Sequence, residues 1–564
     1  LLLVVIATLA VGVASAAPLE DFESRRRMLI ENTLLNVDKD SLPVQAYESG
    51  EVDEDLLNLL LGRIPTNPNA DFQIVDVVRI LFLTGNKYDA QVKPVLTSLP
   101  YWITPGEAVF VYWSENHHIL WMASEWLLHE RYDDIETSED LELRLLTWLD
   151  VKIKYGFYEF FAPPYFPYTM AGLLTLVDFV QDETIRQKAI AATERLLTEV
   201  LLMLNDRGAY YPAAGRSDPS LYIDQGSGSV FYKVLRQLTG LGEEVPSQAT
   251  SGSVHLATTS GLPPDVLERI ITSWTPSVDL VLESGHSLKD GFKIYNDLSR
   301  QDRTLAQWSS GAFFHPLVAD DTLWLWKELD LYDHQDFVDF GSIARIPPPF
   351  LGPFAGWVGK TFSTGSVLTS SEVAIYRDGP SVLSSVQDFW PGRYGYQVWP
   401  WAATTGTISV WTQSGAVNDD TYESDQPNDH LPYIKQKGNL ALIMYKPDIL
   451  ISLVFGARSR EGVLYWPEDR FDEVRQHNEW VMGKEGDGYI AVARPCLDRI
   501  NGQYACNNQV GQTWAVVVGN ANMYGDFNGF AREIQEANFS NRRLFSSLYG
   551  RIQVGETEIS HVWK

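Results

Sequence analysis

Six consecutive residues, Trp113-Ser114-Glu115-Asn116-His117-His118, set an amide, two imidazoles and a carboxyl into a run that continues apolar through Ile119, Leu120 and Trp121. Polar groups in such a setting need hydrogen-bond partners or a ligand. An amide beside an imidazole can hold a carboxylate and move a proton. Zinc hydrolysis would call for His-x-x-x-His or His-Glu-x-x-His, and neither spacing occurs here. The bland account of the pair is one histidine in the core and one in solvent. A second cluster runs from Tyr158 to Tyr168 as Tyr-Glu-Phe-Phe-Ala-Pro-Pro-Tyr-Phe-Pro-Tyr. It offers the Glu159 carboxyl and the Tyr165 and Tyr168 phenols on a loop that proline stiffens, and a rigid plug would use the same residues. In the third, Gly215-Arg216, a loop guanidinium can pair with a carboxylate, as can an ordinary surface arginine.

These clusters sit among helices. Ile119, Met122, Ala123, Trp126 and Leu127 follow helical spacing, as do Leu141, Leu145, Trp148 and Leu149, and Ile185, Ala189, Ala192, Leu196 and Val200. Thr104-Pro105-Gly106-Glu107 has the form of a capping box with proline at the first helical position, which predicts a helix start there. Stacked helical hairpins closing into an (α/α) incomplete toroid are expected over residues 18–345, and hairpins bring matching helix ends together. Proline density at Ile346-Pro347-Pro348-Pro349 and Pro353 marks residues 346–364 as a linker. An antiparallel β-sandwich is expected over 365–564, with Leu440–Tyr445 and Ile449–Phe455 as a hairpin, Thr513–Val518 as a buried strand, and a late helix near Gly529–Ala537.

Composition bounds the partners. The 564 residues exceed what one core usually supports, and 44 Lys plus Arg against 73 Asp plus Glu give a formal charge of −29. That charge disfavours nucleic acid and anionic membrane, and requires any acidic polymer to be met by a local cleft rather than by long-range steering. The 18 Trp, 26 Tyr and 25 Phe suit stacking on sugar rings, although core packing can use most of them. Residues 1–17 read as a signal peptide, an apolar run closed by Ala14-Ser15-Ala16, which predicts an extracellular location. In that compartment Cys496 and Cys506 are expected to pair, and Asn538-Phe539-Ser540 is a glycosylation sequon. No metal and no cofactor is expected.

The run Ser114-Glu115-Asn116-His117, the loop from Glu159 through Tyr165 and Tyr168 leading into Leu173-Leu174 and Asp178-Phe179, and Gly215-Arg216 together resemble polysaccharide lyases with an (α/α) toroid and a C-terminal β-sandwich. Chondroitin, hyaluronan, heparin and alginate lyases are members. Gln387-Asp388-Phe389-Trp390-Pro391-Gly392, Gln397-Val398-Trp399-Pro400-Trp401, Phe471-Asp472-Glu473-Val474 and Gly488-Tyr489-Ile490-Ala491 are similar to stretches of large relatives of those enzymes, and the likeness covers roughly residues 100 to 540.

The resemblance implies β-elimination at a uronic acid of an acidic polysaccharide, of alginate or glucuronan type. The substrate carboxylate must be neutralised or hydrogen-bonded so that the C5 proton can leave, a base takes that proton, and an acid serves the departing O4. It implies Asn116, His117, Tyr165 and Arg216 as catalytic residues, with Tyr165 and His117 the first proton-transfer pair and Tyr168 the alternative acid. It assigns Trp113, His118, Glu159, Tyr168 and Gln397 to substrate binding. The chain departs from the compact His…Tyr…Arg spacing of chondroitin-type lyases, because Tyr165 lies far downstream of His117. Two other classes fit parts of the sequence. A toroidal glycoside hydrolase would use Glu115 and Glu159 as a carboxyl pair about 5 to 10 Å apart. A non-catalytic glycan-binding protein would keep the aromatic surface without converging polar groups.

Overall fold

The structure is a computed structural model that describes residues 18–564 apart from 108, 133, 224–229, 339–340, 342–345, 347, 363, 415–427, 456–461, 495–498, 501–502, 507–510 and 545. The leader reading for residues 1–17 therefore lies outside the described residues. So does the disulfide reading, since Cys496 is not described and only the backbone of Cys506 is placed.

Helices fill the first half and strands the second. The helix Glu115–Arg131 is buried on nearly every side, and it packs between Asp71–Thr84 and Phe166–Phe179. Phe166–Phe179 contacts Gly252–Thr258, which meets Leu42–Ser49, and Leu42–Ser49 returns to Asp71–Thr84, so these five form an inner layer. Leu141–Tyr155, Glu183–Leu201, Pro264–Thr272, Pro18–Leu34 and Val230–Thr239 lie outside them. This is the two-layered helical half expected of a toroid. Closure demands tight approaches: a Cβ on Gly252 would lie 2.2 Å from the carbonyl of Pro167, so only glycine lets that helix start where it does.

The capping box at Thr104 makes a turn instead of a helix. Glu107 turns its carboxylate forward and accepts from the amides of Val109 and Phe110. The helix starts a few residues later, with Ser114 as its extended N-cap. The polar cluster is thereby the first helical turn itself, where backbone amides lack intrahelical acceptors.

In the second half, one sheet runs Ser277–Ser284, Ser371–Asp378, Ser381–Val386, Trp401–Thr405, Ile408–Ser414, Gly462–Tyr465, Gln503–Cys506 and Arg499–Ile500. The second runs Tyr433–Lys437, Leu440–Tyr445, Gln512–Asn520, Gly488–Ala493, Trp480–Glu485 and Glu473–His477. Leu383, Trp401 and Val410 meet Ile443, Val492, Trp514 and Val516 between them. A three-stranded sheet, Asn538–Leu544, Ser547–Val554 and Thr557–Trp563, and the helix Phe527–Glu536 cover the outer face of the second sheet. With both faces covered, strands such as Leu440–Tyr445 are apolar throughout rather than alternating. The buried strand at Thr513–Val518 and the late helix fall where the sequence predicts them.

Three boundaries differ from expectation. The proline-rich segment read as a linker carries a helix, Pro348–Phe362. Pro348 and Pro349 occupy its first turn, where a missing N–H costs nothing, and Pro353 is carried inside. Ile449–Phe455 is also a helix, begun by Asp448, whose side chain accepts from the Leu450 amide at 3.0 Å. A seven-residue apolar run fits either state, and this one is started by an aspartate cap. Finally, Ser277–Ser284, inside the helical half by sequence, pairs antiparallel with Ser371–Asp378 and extends the first sheet. The main core accordingly runs from Phe22 and Trp121 into Trp399 and Trp411, across the junction of the two halves.

Candidate functional site

The first turn of Glu115–Arg131 points three groups in different directions. The Glu115 carboxylate is fully buried and occupied on both oxygens. Oε2 takes the Lys152 ammonium and the Tyr158 amide (2.9 Å), and Oε1 takes the Glu159 amide (2.7 Å). It fixes the backbone of the loop that carries Glu159. Burial pulls the Lys152 ammonium below the ordinary lysine range, and Glu115 opposes that pull.

Asn116 donates from Nδ2 to Ser114 Oγ and to Glu159 Oε2, each at 2.8 Å, while its Oδ1 is buried without a partner. Glu159 is buried, and desolvation, helped by the nearby Glu115 charge, raises its pKa from 4.5 to about 7 against the opposing pull of Asn116, Arg216 and His117. His117 turns Nδ1 to Asp71 Oδ2 at 2.6 Å, with Asp71 wholly buried and its carboxyl pushed upward by desolvation. With Nδ1 bonded to Asp71, Nε2 is the ring nitrogen left for another partner. Phe72 fixes the ring plane, stacked on His117 with centroids 4.9 Å apart.

Tyr165 is the residue just before the helix Phe166–Phe179, and its hydroxyl accepts from Gln397 Nε2 at 3.3 Å. Burial is the main cause of its upward shift to about 12, with Glu159 adding to it and Arg216 opposing. Gln397 arrives from the sandwich half. Its carbonyl takes the Ser217 amide, and Ala214 and Trp399 exchange two backbone bonds of 2.9 Å. Glycine before Arg216 is required by packing, since a Cβ on Gly215 would lie 2.6 Å from the Tyr158 carbonyl. That approach sets Arg216 beside Glu159 and under the exposed Tyr396 ring, 5.9 Å from its centroid. Tyr396 is held at φ +49°, strained for a non-glycine residue, at the edge of this group.

Asn116, His117, Glu159, Tyr165, Arg216 and Gln397 thus form one group, on the side of the helical half that meets the sandwich. The other candidates lie elsewhere. Trp113 is enclosed by Trp308, His334 and Phe337. His118 faces the core beside Trp102, and burial lowers its pKa to about 3, which keeps it neutral at any ordinary pH. Tyr168 stacks on the far side of Phe72 at 3.8 Å. Asn538 is exposed at a strand end, as a sequon needs. Sequence reading missed Asp71, Phe72 and Tyr396. Tyr396 sits in Arg393-Tyr394-Gly395-Tyr396-Gln397, which carries a weak aromatic signal, but nothing near Asp71 or Phe72 announces a partner for a histidine 46 residues away. Among the described residues no group of three or more His, Cys, Asp or Glu is placed to hold a metal ion, and no helix is long and apolar enough to cross a membrane.

No protein-family model matches the chain, and no curated protein sequence does. Among solved structures it is similar to heparinase III, over 96% of this chain and 91% of that one, at 8% identity and a TM-score of 0.24. It is also similar to the heparan sulfate lyase HepC from Pedobacter heparinus, over 96% and 82%, at 8% identity and a TM-score of 0.31.

Proposed function

We propose that the chain is a secreted polysaccharide lyase that cleaves a uronic-acid-containing polysaccharide, of alginate or glucuronan type, by β-elimination. The observation that carries this reading is the meeting of an amide, an imidazole, a phenol and a guanidinium around one buried carboxyl, Glu159. Those four group types answer the four demands of elimination: to hold the substrate carboxylate, stabilise the enolate-like transition state, remove the C5 proton, and protonate the leaving O4. Arg216 meets the carboxylate as a charge. Asn116 joins it when Glu159 is protonated, because the acid can then donate to Asn116 Oδ1 and the turned amide offers Nδ2 to the substrate. Tyr165 and His117 Nε2 are the proton-transfer groups, with Gln397 and Asp71 setting their orientation.

The hydrolase alternative loses its carboxyl pair. Glu115 is consumed by Lys152 and two backbone amides, so it cannot act as acid or base across a cleft. The test is a scan of the purified chain against alginate, glucuronan, hyaluronan and chondroitin, followed by absorbance of the unsaturated product. Reducing ends appearing without that absorbance would sink the lyase reading in favour of hydrolysis.

A further inference from the structure

Two touching helices keep apolar side chains in solvent. On Pro348–Phe362 the exposed residues Phe350, Phe354 and Trp357 recur at helical spacing, and the last two rings lie 6.2 Å apart. Lys360, also exposed, continues the stripe. The helix Ile449–Phe455 contacts this one and leaves Ile449, Leu453 and Val454 outward, 77%, 72% and 62% exposed, while Ile451 is buried. Arg393 fastens the pair, reaching Thr361 Oγ1 at 3.3 Å and Asp448 Oδ2 at 3.1 Å. Single exposed apolar residues are ordinary on a protein surface. A run of them over two adjoining helices marks an interaction surface.

Beside Ile449–Phe455, between it and the hairpin of Asn538–Leu544 with Ser547–Val554, lies a cavity of about 340 Å³. Lys446 and Arg543 line it together with Ser452, Ser546 and Ser547, and among the described residues no Asp or Glu does. Burial first, and the neighbouring Arg543 charge second, pull the Lys446 ammonium below the ordinary lysine range. An anion seated between the two cations would relieve the second effect. The wider face is basic as well. Residues 348–362, 446–455 and 541–547 carry Lys360, Lys446, Arg542 and Arg543 against Asp448 alone, and Asp448 already pairs with Arg393. On a chain of net charge −29 this is a local reversal of sign.

The occupant must therefore be apolar and anionic at once. A saccharide chain could lie on the aromatic rings, but Ile449, Leu453 and Val454 offer it neither a flat face nor a hydrogen bond. A second copy in a two-fold contact would bring the same four cations against these four. A bilayer surface answers both demands, with an acyl boundary for the apolar stripes, phosphates for the cations, and tryptophan at the level between them.

We propose that this face docks on an anionic phospholipid surface, with the two apolar stripes in its interfacial layer and a lipid phosphate between Lys446 and Arg543. The overall charge opposes approach from a distance. At physiological salt that opposition is screened beyond about 8 Å, while the contact at the face is kept. Docking is independent of the chemistry at Glu159, so it is measured without turnover.

The full chain is sedimented at about 0.15 M salt with sucrose-loaded vesicles of phosphatidylcholine, either alone or with about one third phosphatidylserine. It should bind the mixed vesicles about tenfold more tightly than the neutral ones. Trp357→Ser combined with Leu453→Ser should weaken that binding by about tenfold. Both side chains are exposed, so the thermal melt should match the parent's. Lys446→Gln combined with Arg543→Gln should erase the preference for phosphatidylserine. No binding to either vesicle, equal binding of both, or binding unmoved by the two double variants would overturn the proposal. So would a dimer in sedimentation velocity, or retention on an acidic polysaccharide, that Trp357→Ser with Leu453→Ser abolishes while vesicles stay unbound.

Discussion

Glu115 and Glu159 lie at the two ends of one backbone contact, yet their surroundings are opposite. On the Glu115 side every acceptor is filled, by Lys152 and two amides, and the arrangement has no spare valence for a ligand. On the Glu159 side the groups are left partly unsatisfied: Oδ1 of Asn116 is orphaned, Arg216 reaches only carbonyl oxygens at 3.4 and 3.5 Å, and Glu159 is held near neutrality. A saturated buried pair holds a loop in place. A half-satisfied cluster at a junction between two layers stores binding capacity.

The sharpest separation of the two sides is by activity without loss of fold. Tyr165→Phe removes one half-buried hydroxyl, so it should cut unsaturated-product formation by about 10² to 10⁴ while the melting temperature stays put. Full activity would move the role to another residue and erase the distinction drawn for Tyr165. The reverse experiment is Lys152→Met, which strands the Glu115 carboxylate in the interior. It should destabilise the chain by about 3–5 kcal/mol in urea unfolding. Unchanged stability would mean that the Glu115 side is not structural.

Asn116→Ala should lower kcat by about 10² to 10³ with a much smaller change in KM, because its amide is needed most as charge develops on the enolate. A change confined to KM would make Asn116 a binding residue only. The smallest effect is on pH dependence. Between 4.5 and about 7 the folded chain keeps a proton on Glu159 that the unfolded chain has released. Stability at this residue is therefore intact below about 4.5 and is lost as pH rises through about 7. Glu159→Gln should flatten that part of the stability profile, measured as urea midpoints from pH 4 to 8. An unchanged slope would show that Glu159 ionises normally.

Much of this was legible in the residues and their spacing. The helical period over residues 18–345, the alternation of short apolar runs and turns beyond, and the polar cluster at Ser114–His118 are local properties, and local properties are what periodicity and residue type report. The cluster's chemistry could be named because an amide, imidazole, phenol and guanidinium keep their character in any fold. Local signals are degenerate at two of the segments where the structure differs. Ile449–Phe455 fits a strand as well as a helix, and proline at Pro348 and Pro349 fits a helix's first turn as well as a linker.

Only the tertiary structure could decide which groups meet. Asp71 finds His117 across 46 residues, and Gln397 finds Tyr165 across 232, through contacts between elements that no short-range pattern encodes. It also decided which of two adjacent histidines is available. Neighbouring residues on a helix point about 100° apart, so, with both rings buried, His118 turns to Trp102 and His117 to Asp71 and Phe72. Residue types along the chain set what chemistry was possible, and the burial of Glu115 beside Lys152, with Glu159 beside Asn116, set which carboxyl was left free to take part.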